Sequence, residues 1–92
     1  MMIRYRIKIL GNPVQGVFFR DYLLQKAEEL MVTGWAANES DGSVAVVVEG
    51  PKNQAVALAE ACQSGPSRAN VEKVEITEEP YTGEFGEFAI RY

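Results

Sequence analysis

Ile3, Tyr5, Ile7 and Ile9 alternate with Arg4, Arg6 and Lys8 at the start of the chain, and this period of two most constrains the fold. It describes a strand that is apolar on one face and wet on the other. The remaining elements must then supply a core on a single side. Downstream the period changes: Leu23, Ala27, Leu30 and Met31 fall at helical spacing, while Gln25, Lys26, Glu28 and Glu29 lie mostly elsewhere. The spacing predicts an amphipathic helix from about Phe19 to Met31. Asp21 in its first turn complements the helix dipole, and Gly34 follows its end.

Two strands are expected at Trp35–Asn38 and Ser43–Glu49, joined through Glu39-Ser40-Asp41-Gly42, whose Asp-Gly pair is a strong hairpin signal. The Val46-Val47-Val48 run suits a central position in a sheet. Pro51 suits the first position of a second helix whose stripe is Ala55, Leu58, Ala59 and Cys62, and Gly65-Pro66 stops it. Val71, Val74 and Ile76 mark a fourth strand, and Phe88 with Ile90 a short terminal one. Glu78 to Gly86 between them reads as an exposed acidic loop. The order βαββαβ plus a short extra C-terminal strand predicts a ferredoxin-like α/β sandwich over residues 1–92, one domain with two helices on one face of a mainly antiparallel sheet.

Composition removes several classes of function. The chain of 92 residues has no histidine and a single cysteine, Cys62, so neither an internal disulfide nor a zinc-type cluster is expected. No metal and no cofactor are called for. No apolar run approaches the roughly 20 residues that span a bilayer, and the N-terminal residues alternate instead of forming a signal core. A cytoplasmic, monomeric protein without membrane contact is the expectation. The net charge of −4 argues against bulk nucleic-acid binding. The outward positions read for the third strand, Ser43, Ala45, Val47 and Glu49, offer no aromatic platform for stacking RNA bases. Charge is unevenly spread, with five basic side chains against Asp21 alone up to residue 26, then four basic against twelve acidic. Arg4, Arg6 and Lys8 could steer an anion, or simply solvate an outer strand face.

The loop Val14-Gln15-Gly16-Val17-Phe18-Phe19-Arg20 leaves a strand and delivers an arginine to the start of a helix. Backbone N–H groups turning into a helix N-terminus form an anion site, and a guanidinium matches two oxygens of a phosphate at once. Such a loop can also be a plain connection with a solvent-facing arginine. It holds no nucleophile: Val14 stands where a cysteine-dependent phosphatase would place its thiol, and no Ser, Thr, Asp or His lies between Asn12 and Arg20. Cys62 belongs to the core stripe of the second helix. What remains is direct attack by water, which suits a mixed anhydride with a good leaving group. Asn38 is the candidate to orient that water, since an amide can accept from it and donate to the phosphate. Asn38 could equally cap the turn that follows it.

Together these segments resemble the acylphosphatase family. Val14 to Arg20 matches the family's Val-Gln-Gly-Val-x-Phe-Arg motif, and Gly34-Trp35-Ala36-Ala37-Asn38 with Gly42-Ser43-Val44 and Gly50 matches a second. Further similarity lies in Gly65-Pro66-Ser67-Arg68-Ala69-Asn70-Val71 and in Phe88-Ala89-Ile90-Arg91-Tyr92. The resemblance implies a ferredoxin-like fold and metal-independent hydrolysis of acylphosphates to a carboxylate and inorganic phosphate. By motif position it implies that Arg20 binds phosphate, that Asn38 orients the attacking water, and that the backbone of Gln15, Gly16, Val17, Phe18 and Phe19 completes the cradle. Phe19 is expected in the core, and Phe18 is open between packing and the mouth of the site. One departure precedes the loop. Asn12 and Pro13 stand where the family usually has glycine and often arginine, so a stiffer rim is expected. The alternative function is a non-catalytic phosphate or carbamoyl-phosphate binding module; the end of the chain at Tyr92 favours a freestanding enzyme.

Overall fold

The alternating N-terminal segment forms β1, Met2–Gly11, and the computed structural model describes all residues 1–92. It is followed by α1 (Phe19–Leu30), β2 (Thr33–Asn38), β3 (Val44–Pro51), α2 (Lys52–Ser64), β4 (Val71–Glu79) and β5 (Phe88–Arg91). The sheet order is β4-β1-β3-β2-β5, antiparallel throughout except for β5, which runs parallel to β2. The valine-rich β3 takes the centre of this ferredoxin-like sandwich.

Residues of one parity meet in the core: Ile7 and Ile9 of β1, and Val44, Val46 and Val48 of β3, pack with Leu23 and Ala27 of α1 and Leu58, Ala59 and Cys62 of α2. Both helices therefore cover the same face. Phe19 opens α1 buried in this core, with its ring edge-on to Tyr22 at 6.0 Å. No helix is long and apolar enough to cross a membrane.

Several boundaries differ from the sequence reading for local reasons. α1 ends at Leu30, because Met31 takes a left-handed conformation (φ 58°) that turns the chain. Gly34 is not its cap. It lies inside β2 at φ 138°, where an added Cβ would fall 1.8 Å from the Val47 carbonyl oxygen. Pro51 is extended and pairs with Met2, so it precedes α2 instead of opening it.

The outer face of β3 is the larger correction. Ser43, Ala45, Val47 and Glu49, expected to point outward, are all buried. Arg6 and Trp35 flank Val47 on the neighbouring strands, and Arg91 stacks 4.6 Å over the Trp35 ring. The segment from Glu79 to Phe88 must connect the β4 edge to the opposite β5 edge, and it is tied down on the way. Glu49 accepts from the Thr82 N–H (2.9 Å) and hydroxyl (2.8 Å), the Gly83 N–H (3.1 Å) and Arg4 Nη1 (3.2 Å). Arg4 also reaches Glu79 and Glu84. Arg6 pairs with Glu79, and Lys8 with Asp41. The three basic side chains of β1 are thus neutralised by carboxylates and offer no field for steering.

Candidate active site

The loop between β1 and α1 is anchored by three buried side chains. Val14, Val17 and Phe19 point into the core, while Gly16 and Phe18 stay exposed. Gly16 (φ 74°) and Phe18 (φ 63°) are both left-handed, a conformation that steers consecutive N–H groups away from local carbonyls. The first bond of α1 runs from Tyr22 N–H to Phe18 C=O. The N–H groups of Gln15, Gly16, Val17, Phe18, Phe19 and Arg20 donate to no backbone carbonyl outside regular structure and to no side chain. A row of unspent donors at a helix N-terminus favours an anion by both hydrogen bonding and dipole.

Arg20 projects from the first turn of α1 and is steadied by the terminal strand. Its Nη1 donates to the Arg91 carbonyl at 3.2 Å, and its guanidinium lies 4.9 Å from the Tyr92 ring centroid. It forms no ion pair with a carboxylate. Its remaining donors are free for a ligand.

Asn38 ends β2, and the hairpin after it does not use its side chain. Asp41 caps that turn, its carboxylate accepting from Ser43 N–H (3.0 Å) and hydroxyl (2.6 Å). These bonds and Lys8 hold the Asp41 carboxyl well below the usual range. Glu39 and Ser43 close the neck by a backbone bond of 2.9 Å. The capping alternative for Asn38 thereby loses its purpose, and the amide lines a cavity instead.

That cavity, about 210 Å³, brings the predicted residues together: it is lined by Val14, Gly16, Phe18, Phe19, Arg20, Asp21, Asn38, Ile90 and Tyr92. Its size suits a small anion and part of its attached group. Val17 and Gln15 lie outside it; Val17 is a core anchor, and Gln15 turns its amide towards the hairpin. Asp21, Ile90 and Tyr92 are wall residues that the sequence reading did not assign. Only the likeness of the terminal segment to the family pattern hinted at the last two. Cys62 is fully buried, which pushes its thiol up to about 12, so it carries no nucleophilic thiolate at neutral pH.

The acylphosphatase family model matches residues 5–90. The chain belongs to the acylphosphatase family. An acylphosphatase of Syntrophus aciditrophicus is 44% identical over 92 residues, covering 100% of this chain and 95% of that protein. The crystal structure of acylphosphatase from Bacillus subtilis superposes with a TM-score of 0.92 at 34% identity, each chain covered in full. Full-length HypF, in a phosphate- and nucleotide-bound form, contains a similar unit: TM-score 0.90 and 25% identity, covering 100% of this chain but 12% of HypF. Within this acylphosphatase-family chain the departure at Asn12-Pro13 has a local support. Asn70 donates its N–H to the Pro13 carbonyl (2.9 Å) and its side-chain amide to the Asn12 carbonyl (3.3 Å). Asn12 N–H returns a bond to the Asn70 carbonyl at 3.1 Å, and Gly11 is needed beside it, since a Cβ there would sit 2.0 Å from the same oxygen. The Asn12-Pro13 peptide is cis.

Proposed function

We propose that the cavity hydrolyses acylphosphates by direct attack of water on phosphorus, with Arg20 and the loop N–H groups holding the phosphoryl oxygens and Asn38 orienting the water. The carrying observation is the convergence on one cavity of an arginine without a carboxylate partner and an asparagine whose amide no turn uses, beside a loop whose N–H groups are unspent. In the reaction the water oxygen bonds to phosphorus and the bond from phosphorus to the acyl oxygen breaks. The electron pair leaves on a carboxylate, and the water proton passes to a phosphoryl oxygen, giving inorganic phosphate. The transition state spreads charge over the equatorial oxygens, which fixed donors stabilise without reorganising. The protein supplies no general base; the leaving carboxylate is good enough that geometry carries the rate. The chain is proposed to work as a cytoplasmic monomer, consistent with its unpaired cysteine.

The test is phosphate release from benzoyl phosphate without added metal. Asn38→Ala is expected to lower kcat by roughly a hundred-fold with little change in KM, because it removes a group that positions water. Arg20→Gln is expected to weaken inhibition by inorganic phosphate as well as lower kcat. Full turnover in both variants would overturn the assignment. A second reading, phosphate binding without turnover, draws on the likeness to part of HypF; it would be favoured by tight phosphate binding with no hydrolysis.

A further inference from the structure

We infer that Gln15 is a positioning residue, whose side chain couples the phosphate loop to the strand end that carries Asn38. Its Nε2 donates to the Glu39 carbonyl at 2.7 Å and to the Ser43 carbonyl at 2.8 Å. Glu39 follows Asn38 directly, and Ser43 directly precedes Val44, the residue paired with Asn38 across the hairpin. One amide therefore grips both strands at the hairpin neck, beside the proposed water-orienting group.

The grip answers a problem posed by the topology. Arg20 and the free N–H groups belong to the β1–α1 connection, whereas Asn38 sits at the exposed end of β2. β2 is not adjacent to β1 in the sheet, because β3 lies between them. Asn38 has no side-chain hydrogen bond to hold it, and the Glu39–Ser43 turn beyond it is exposed except for Ser43. Lys8 holds the hairpin tip through Asp41, but the Gln15 bridge is what ties the phosphate loop itself to the neck beside Asn38, and so sets the distance between bound phosphate and oriented water. Misplacement by about 1 Å is enough to cost on the order of a hundred-fold in rate. Gln15 can fill this role because an amide offers two N–H donors from one nitrogen, which suits two carbonyls at once. A glutamate of the same shape would set its carboxylate against both oxygens.

This inference rests on the reading that Arg20 and Asn38 act on one phosphoryl group, which benzoyl phosphate hydrolysis by the unmodified chain tests separately. Gln15→Met keeps the length of the side chain and removes both donors. It is expected to lower kcat by about ten- to a hundred-fold while inhibition by inorganic phosphate stays within about three-fold. In the Gln15→Met background, adding Asn38→Ala is expected to cost several-fold less than it costs alone, since an unheld Asn38 has already lost most of its effect. Gln15→Glu supplies a second probe, read in a pH profile. Its relative kcat is expected to rise as pH falls and the acid form regains one donor for a carbonyl. Equal loss of turnover and phosphate affinity with full additivity would overturn the inference, as would unchanged kcat in both variants.

Discussion

Phe18 holds a left-handed backbone with a bulky ring that is 71% exposed, so its strain has no compensation in core packing. Non-glycine residues in that region cost about 1 kcal/mol, and such costs collect at functional sites. Phe18→Gly is accordingly expected to raise stability by about 1 kcal/mol in urea unfolding. Gly34 poses the opposite case: a side chain there would meet the Val47 carbonyl in the middle of the sheet. Gly34→Ala is expected to destabilise by roughly 3 kcal/mol or more, seen as a lower denaturation midpoint. The glycine and the aromatics of the loop motif, and Gly34, stand out in the sequence, yet their backbone angles do not. Cys62, by contrast, was legible from its place on a helical stripe.

At the level of elements, the terminal strand depends on a residue far from the site. β5 brings Ile90, the Arg91 carbonyl and Tyr92 to the cavity, and the segment leading to it is pinned by Glu49 near the opposite end of the sheet. Glu49 is only 1% exposed, and Arg4 beside it 11%. Glu49→Ala would leave the Thr82 N–H and hydroxyl and the Gly83 N–H without their acceptor, while Arg4 keeps Glu79 and Glu84, a loss of about 3 kcal/mol by the usual cost of unsatisfied part-buried donors. Hydrogen exchange at the Thr82 and Gly83 amides is expected to quicken in this variant, ahead of exchange in β1 and β3. The acidic stretch from Glu78 to Gly86 was readable as an exposed loop, although its first two residues, Glu78 and Glu79, belong to β4 and pair with Tyr5 and Arg4. Its attachment was not, because Glu49 lies 33 residues from Thr82 in sequence and reads locally as an outward strand residue.

Across the whole molecule, paired carboxylates set the response to acid. Burial pushes Glu49 up, but the hydrogen bonds from Thr82, Arg4 and Gly83 outweigh it and hold the group below its ordinary value. Hydrogen bonds from Arg6 and Arg4 lower Glu79, and those from Ser43 and Lys8 lower Asp41. A carboxylate with a depressed native pKa lends stability that is complete above its unfolded value, roughly 4, and is lost as pH falls through the native one. Denaturation midpoints should therefore hold steady from neutrality to about pH 5 and fall below it. Glu49→Gln is expected to start from a lower midpoint and to fall less steeply. A midpoint that rises on acidification would contradict this balance.

Read alone, the chain of residues determines the alternation of β1, the two helical stripes, the Asp-Gly hairpin and the element order, because each of these signals repeats within a few neighbouring positions. It also determines the chemistry on offer, an arginine loop without a nucleophile in a protein without histidine. Tertiary structure decided which of those groups are spent and which are free. Packing placed β5 beside β2, buried the outer face of β3 under its neighbours, and set Arg4, Arg6 and Lys8 against carboxylates while leaving Arg20 without one. It gave the turn to Asp41 and so released Asn38. Apart from the Asp41–Ser43 turn, which is local, these outcomes turn on pairings between residues tens of positions apart, whose contacts exist only once the sheet is closed.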